Sequence, residues 1–152
     1  LDKIALYAGI GEAITADHVA EVVAATRVSS IFELTDALGK RDWAQASLLM
    51  RNIVGGGQSA LLVLAMLVRQ LRLILQAKLW RGRASDLAPT LGVRPFVADT
   101  LVGQARRYTE AELYRALRLA ARTDARLKSS RLPHDILLDA LLMEFLGEAH
   151  AA

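Results

Sequence analysis

The sequence predicts an all-α fold, a helical bundle, on three observations. Apolar residues recur at three- and four-residue spacing through nearly every segment, and the strict alternation of a half-buried strand is absent. Helix starts and stops punctuate the chain at short intervals, with Asp42, Ser59 and the pair Thr109 and Glu112 as starts and Gly39, Gly55-Gly56-Gly57, Gly82 and Gly92 as stops. Between two of these marks lies the long run from Ser59 to Leu79. At about 100° per residue its first half is apolar on every side, the signature of a helix surrounded by others. Its second half is amphipathic, with Arg69, Arg72 and Gln76 on one stripe. A membrane span needs about 20 predominantly apolar residues, and Arg69, Gln70 and Arg72 interrupt this run. It is expected to be the core helix of the bundle, with no membrane contact.

The elements follow in order. Leu1 to Ala8 reads as the tail of a helix ended by Gly9 and Gly11, and Thr15 caps a second that carries His18, Val19, Val22 and Val23. Val28-Ser29-Ser30 is polar punctuation and the first candidate boundary. Ser30 with Glu33 matches a capping box for a helix that Gly39 stops. Asp42 caps the next, from Trp43 to the triple glycine. After the core helix, Arg81-Gly82 is a stop, and Ser85 opens a short helix ended by Leu91-Gly92. Pro95 suits the first position of a helix from Phe96 to Arg107. Thr109 and Glu112 form a capping box for a helix reaching Lys128, and Pro133 starts the last, His134 to Leu146, with Gly147 as its stop.

A length of 152 residues allows one domain plus a fragment of another. The chain opens on Leu1 within a helical pattern, so it is expected to be a piece of a longer protein. The absence of cysteine excludes a disulfide frame, a thiol nucleophile and a thiolate-held metal. Net charge is +3, but it is divided unevenly: residues to Gln58 carry 5 basic and 7 acidic side chains, the rest 14 and 9. A basic second half is compatible with a polyanionic partner. His18, His134 and His150 are far apart and form no metal-ligand spacing. The glycines before Ser59 lack the lysine and preceding strand of a phosphate loop. Glu110 and Glu112 sit where a helix dipole favours carboxylates without catalysis. The chain is therefore expected to be no enzyme, with no cofactor and no metal.

Three surfaces are candidates for binding. Asp86 to Val102 matches a helix-turn-helix, which would turn Arg94, Asp99 and Thr100 to a major groove. Pro89 within its first helix and Pro95-Phe96 at the start of its second oppose that reading. The helix after Thr109 carries Arg115, Arg118, Arg122 and Arg126 along one face, opposite Leu113, Leu117, Ala120 and Leu127. Lys128 and Arg131 extend the charge past its end. This stripe is a solvated face or a contact for DNA phosphate or an acidic subunit. Asp124, falling on the apolar side, calls for a partner, with Lys128 at i+4 the nearest. Trp43 and Trp80, each beside a helix end, are candidates for a subunit interface or for the core.

Several short stretches, taken together, resemble a known family. Leu1-Asp-Lys-Ile-Ala-Leu-Tyr-Ala8, Ile31-Phe-Glu-Leu-Thr-Asp-Ala-Leu38, Arg69-Gln-Leu-Arg72, Leu91-Gly92 with Pro95-Phe96, Gln104-Ala-Arg-Arg107, and Asp124 with Leu127-Lys128-Ser129 follow in the order and spacing of the delta subunit of the bacterial DNA polymerase III clamp loader. The resemblance implies that residues 1–27 end an AAA+-like helical lid and that residues 28–152 form the collar domain, which holds the loader's subunits in a ring. It implies a cytoplasmic role in DNA replication, assembling the ring that loads the sliding clamp on primed DNA. The partners implied are other loader subunits and, where the ring's interior faces it, primer-template DNA. The sliding clamp itself would be gripped by an N-terminal module missing here, and no nucleotide site is implied. A helix-turn-helix DNA-binding regulator is the alternative.

Overall fold

The computed structural model describes residues 16–149, which form seven helices among them: α1 (Ala16–Gly39), α2 (Trp43–Gly55), α3 (Ala60–Leu79), α4 (Ala84–Leu91), α5 (Pro95–Ala105), α6 (Glu110–Ser129) and α7 (His134–Ala149). The expected helix at Leu1 to Ala8, the cap at Thr15 and His150 lie outside the described residues.

Helix α3 touches each of the other six. Helices α6 and α7 pair with each other, α1 pairs with α2, α4 lies on α5, and α2 closes against α7. Leu67, Leu71 and Ile74 of α3 are buried against side chains from several of these helices. Burying a large aliphatic side chain contributes about 1.5–3 kcal/mol, so the long apolar run organises the bundle by area alone. By length and composition α3 is also apolar enough to cross a membrane, yet it is the centre of this bundle. Its first half is not enclosed all round: Leu61 is 37% and Leu62 44% exposed, because none of the described helices covers that side of its first turn.

Helix ends follow local chemistry in most places. The Asp42 carboxylate accepts from Gln45 N at 3.1 Å. Thr109 and Glu112 close a full capping box, and Pro95 takes the first position of α5. Gly92, at φ 65°, returns the chain after α4, with its N–H on the carbonyls of Ala88 and Pro89. Ser59 stands at the cap position of α3 but makes no capping bond, and α4 starts at Ala84 rather than Ser85.

Two expected breaks are absent. Helix α1 runs unbroken through Val28-Ser29-Ser30. Ser30 is no N-cap; its Oγ donates back to the Thr26 carbonyl at 3.0 Å, a bond that accommodates serine inside a helix. The buried stripe of Ile31, Leu34 and Leu38 then ties the continuing helix to the core. Likewise α7 passes Gly147 and reaches Ala149. A lone glycine costs a helix only about 1 kcal/mol and does not stop one by itself.

A polar junction fixes the end of α1 against the α5–α6 connection. Arg41 forks onto Glu112, with nitrogen–oxygen distances of 2.9 and 3.1 Å, and donates to the Arg107 carbonyl at 2.7 Å. Its guanidinium lies 5.0 Å from the centre of the Tyr108 ring. The Tyr108 hydroxyl donates to the Leu38 carbonyl, and Arg107 donates to the Lys40 carbonyl. Burial pushes the Tyr108 phenol well above its ordinary range, against the pull of Arg41. Burial also tends to raise the Glu112 carboxyl, but hydrogen bonds from Arg41 and Thr109 outweigh it and hold the group below the usual carboxylate range.

Candidate interaction surface

The arginine stripe of α6 is divided by the fold. Leu113, Ala116, Ala120 and Leu127 face the core, with Leu117 half-buried. The opposite face presents Arg118, Arg122 and Arg126 to solvent, and none of them has an ion-pair partner among the described residues. Arg115 is half-buried and donates to the Glu144 carbonyl of α7 at 3.1 Å. It therefore helps dock α7 rather than standing with the other three. Lys128 pairs with Asp124 at 2.6 Å, the partner its spacing predicted. Asp124 is not buried, however, with 45% of its side chain exposed, so this is a surface pair of small worth. Arg131 is exposed in the turn before α7.

The two tryptophans are placed differently. Trp43 is buried, 7% exposed, and meets the Phe145 ring edge-on at 4.5 Å. Its ring is spent inside the bundle, which leaves a partner almost none of it to touch. Trp80 is half-buried at the end of α3, with its indole N–H on the Arg83 carbonyl at 3.0 Å and its ring against Gly82. A Cβ at position 82 would stand 2.5 Å from that ring, so any larger residue there would force the indole to move.

Helices α4 and α5 do trace a helix-turn-helix path, and Arg94, Asp99 and Thr100 are exposed on it. The outer face of α5 opens with Phe96, 64% exposed, followed by the acidic Asp99. An apolar ring and a carboxylate are poor company for phosphate. Phe96 and its neighbour Phe32, 61% exposed, went unrecognised as surface in the sequence. The available signal was phase: Phe32 lies off the Ile31–Leu34–Leu38 stripe and Phe96 off the Ala98–Leu101–Ala105 stripe. His18 is half-exposed and His134 exposed, on different helices. No group of metal-ligating side chains gathers among the described residues.

The described residues form a helical bundle wound about one core helix, with charged and aromatic side chains left on its outer faces. The chain belongs to the family described as DNA polymerase III delta subunit, C-terminal domain, which matches residues 28–145. It is 27% identical over 149 residues to DNA polymerase III subunit delta of Bacillus subtilis, covering 96% of this chain and 43% of that protein. The solved structure of the Bacillus subtilis DNA clamp loader delta protein superposes with a TM-score of 0.70 at 27% identity, over 96% of this chain and 44% of the other. The chain thus spans less than half the length of these relatives. These likenesses give the helix-turn-helix regulator no support.

Proposed function

We propose that this chain is the collar of a clamp-loader delta subunit and that its work is assembly: it holds the subunit in the ring that places a sliding clamp on primed DNA in the cytoplasm. The observation that carries the reading is the family match across residues 28–145, which takes in the described bundle from the middle of α1 to Phe145 of α7. On this reading the chain is a scaffold without catalysis of its own, and the sliding clamp is met by a part of the protein outside this sequence. A division between residues 1–27 and 28–152 is supported by the start of that match and by burial in α1. Among the α1 side chains whose burial is described, Val19 and Val23 are exposed and Ile31 is the first that is buried. An unbroken α1 would then join lid to collar as a stiff strut.

The α6 face supplies a second contact. Arg118, Arg122 and Arg126, with Arg131 and the half-neutralised Lys128, would meet either DNA phosphate or an acidic neighbouring subunit. Arg115, committed to α7, contributes position rather than charge. Phosphate contact is indifferent to sequence and releases condensed counterions, so each contact adds about 0.9 to the slope of log affinity against log salt. The test is a salt titration of primer-template binding by assembled loader carrying Arg118→Gln and Arg122→Gln. A slope reduced by about 1–2 with assembly intact assigns the face to DNA. Lost assembly assigns it to a subunit, and no change in either retires the contact. The scaffold reading fails if the collar does not co-elute with the other purified loader subunits.

A further inference from the structure

Outside the arginine face, the described residues form a groove whose chemistry is asymmetric. It lies between α1, α3 and the turn leading into α5. Leu73 is buried in its floor, and Met66, Val93 and Val97 are half-buried there. Phe32 and Phe96 stand at the groove with most of their surface in water, 61% and 64% exposed. Arg69 and Arg94 line the same groove and are exposed, and no aspartate or glutamate lines it. Neither arginine has an ion-pair partner among the described residues.

Two phenylalanines more than half exposed at the same groove, beside an aliphatic floor, make a contiguous apolar patch of the kind that marks an interaction site. Aromatic anchors around a desolvated floor are the usual centre of a protein interface, and uncompensated cations at its edge select for a partner's carboxylates. Nucleic acid fits less well. It would bring charged phosphate over an aliphatic floor, and two cations are a short track for a backbone. The groove also lies apart from the α6 arginines, since α6 makes no packing contact with α1, α4 or α5. We propose that this groove seats an amphipathic helix of a neighbouring subunit, one with large apolar side chains on its docking face and carboxylates along the border to meet Arg69 and Arg94. This inference rests on the assembly reading and names a surface and a partner chemistry for it.

Two measurements test it on the full 152-residue chain. The first titrates a synthetic helical peptide of about 20 residues, with leucine and phenylalanine at i, i+3, i+4 and i+7 and glutamate on both borders, against its lysine-bordered counterpart. The glutamate peptide should bind in the range of tens of micromolar, roughly what a single small helix-in-groove contact yields. Arg69→Glu with Arg94→Glu, and separately Phe32→Ser with Phe96→Ser, should each weaken it at least about tenfold, and the lysine peptide should prefer the charge-reversed chain. All four side chains are exposed, so melting should stay within a few degrees of wild type. The second measurement is co-elution with the purified loader subunits. Loss in the charge-reversed variant at unchanged melting supports the groove. Undiminished peptide binding by both double variants overturns it. So does wild-type self-association, or binding of a single-stranded oligothymidylate, that disappears with the same substitutions, because a second copy or nucleic acid is then the occupant. Failure of the wild-type chain to co-elute sinks the assembly reading, and with it a subunit as occupant. Co-elution retained by the groove variants removes the groove while leaving assembly standing.

Discussion

Arg41 shows what a single side chain can fix. It sits at φ 60° just after α1, an uncommon backbone state for a residue with a Cβ. The fork onto Glu112, the bond to the Arg107 carbonyl and the contact with Tyr108 hold it there. Glu112→Gln should lower stability by about 1–2 kcal/mol, since the charge-assisted fork from Arg41 is lost while the glutamine oxygen still accepts from Thr109 N in the capping box. For a chain of this size that is a fall of roughly 3–6 °C in Tm. The folded carboxyl titrates below its unfolded value, so the pairing contributes fully above about pH 4.3 and is lost as pH falls through the lower folded pKa. Thermal melts of wild type and Glu112→Gln should accordingly differ by a constant amount from pH 7 to about pH 5 and converge under acid. A gap that widened under acid would contradict the assignment. Gly39 makes a second test at the same junction. A Cβ there would stand 2.2 Å from the Gln104 amide, which is buried and accepts from Gln70 Nε2 at 2.8 Å. Gly39→Ala should cost about 1–3 kcal/mol through this clash, and Gln104→Ala in the same chain should recover part of the loss in denaturant melts.

At the scale of the helix, ends that look alike in sequence differ in worth. Ser30 with Glu33 and Thr109 with Glu112 share the same spacing, but only Thr109 caps, because α1 has already begun well before Ser30. Thr109→Ala should cost about 1 kcal/mol, and Asp42→Ala a similar amount. Ser30→Ala, which removes only a back-bond to Thr26, should stay within about 0.5 kcal/mol. Urea midpoints of the three variants check the order, and a Ser30→Ala loss equal to that of Thr109→Ala would mean that α1 ends and restarts there. Helix α6 carries the complementary lesson. Its apolar face and cap are local properties, but whether an arginine on its polar face is available depends on a neighbour. Arg115 differs from Arg118 because α7 lies beside one and not the other.

At the scale of the bundle, contact of α3 with each of the other six described helices should make it unfold as one cooperative unit. Ile74, fully buried in it, should cost about 2–5 kcal/mol on replacement by alanine. Trp43→Ala should cost about 3–5 kcal/mol by removing the ring that meets Phe145. Both variants should still melt in a single transition, seen alike by far-UV circular dichroism and by tryptophan fluorescence. A second, earlier transition in either probe would show that α7 and α2 detach independently of α3. A Trp43→Ala chain that melts like wild type but fails to assemble would instead return that ring to a subunit interface.

By itself the sequence determined what acts within a few residues. The all-α class, the core helix at Ala60–Leu79, the caps at Asp42 and Thr109, proline opening α5 and the Asp124–Lys128 pair are set by spacing and short-range hydrogen bonds, so they are legible in one dimension. The ordered short motifs also carried the family. Tertiary structure decided the rest, because it depends on which distant surfaces meet. Packing of Ile31 and Leu34 on the core carried α1 through its serines, the neighbouring α7 took Arg115 out of the stripe, and Phe145 drew Trp43 inside. The groove between Phe32 and Phe96 exists only because α1 and α5 are brought side by side across α3. A side chain's phase on its own helix says which way it points, but only the packing of other helices decides whether anything lies there to cover it.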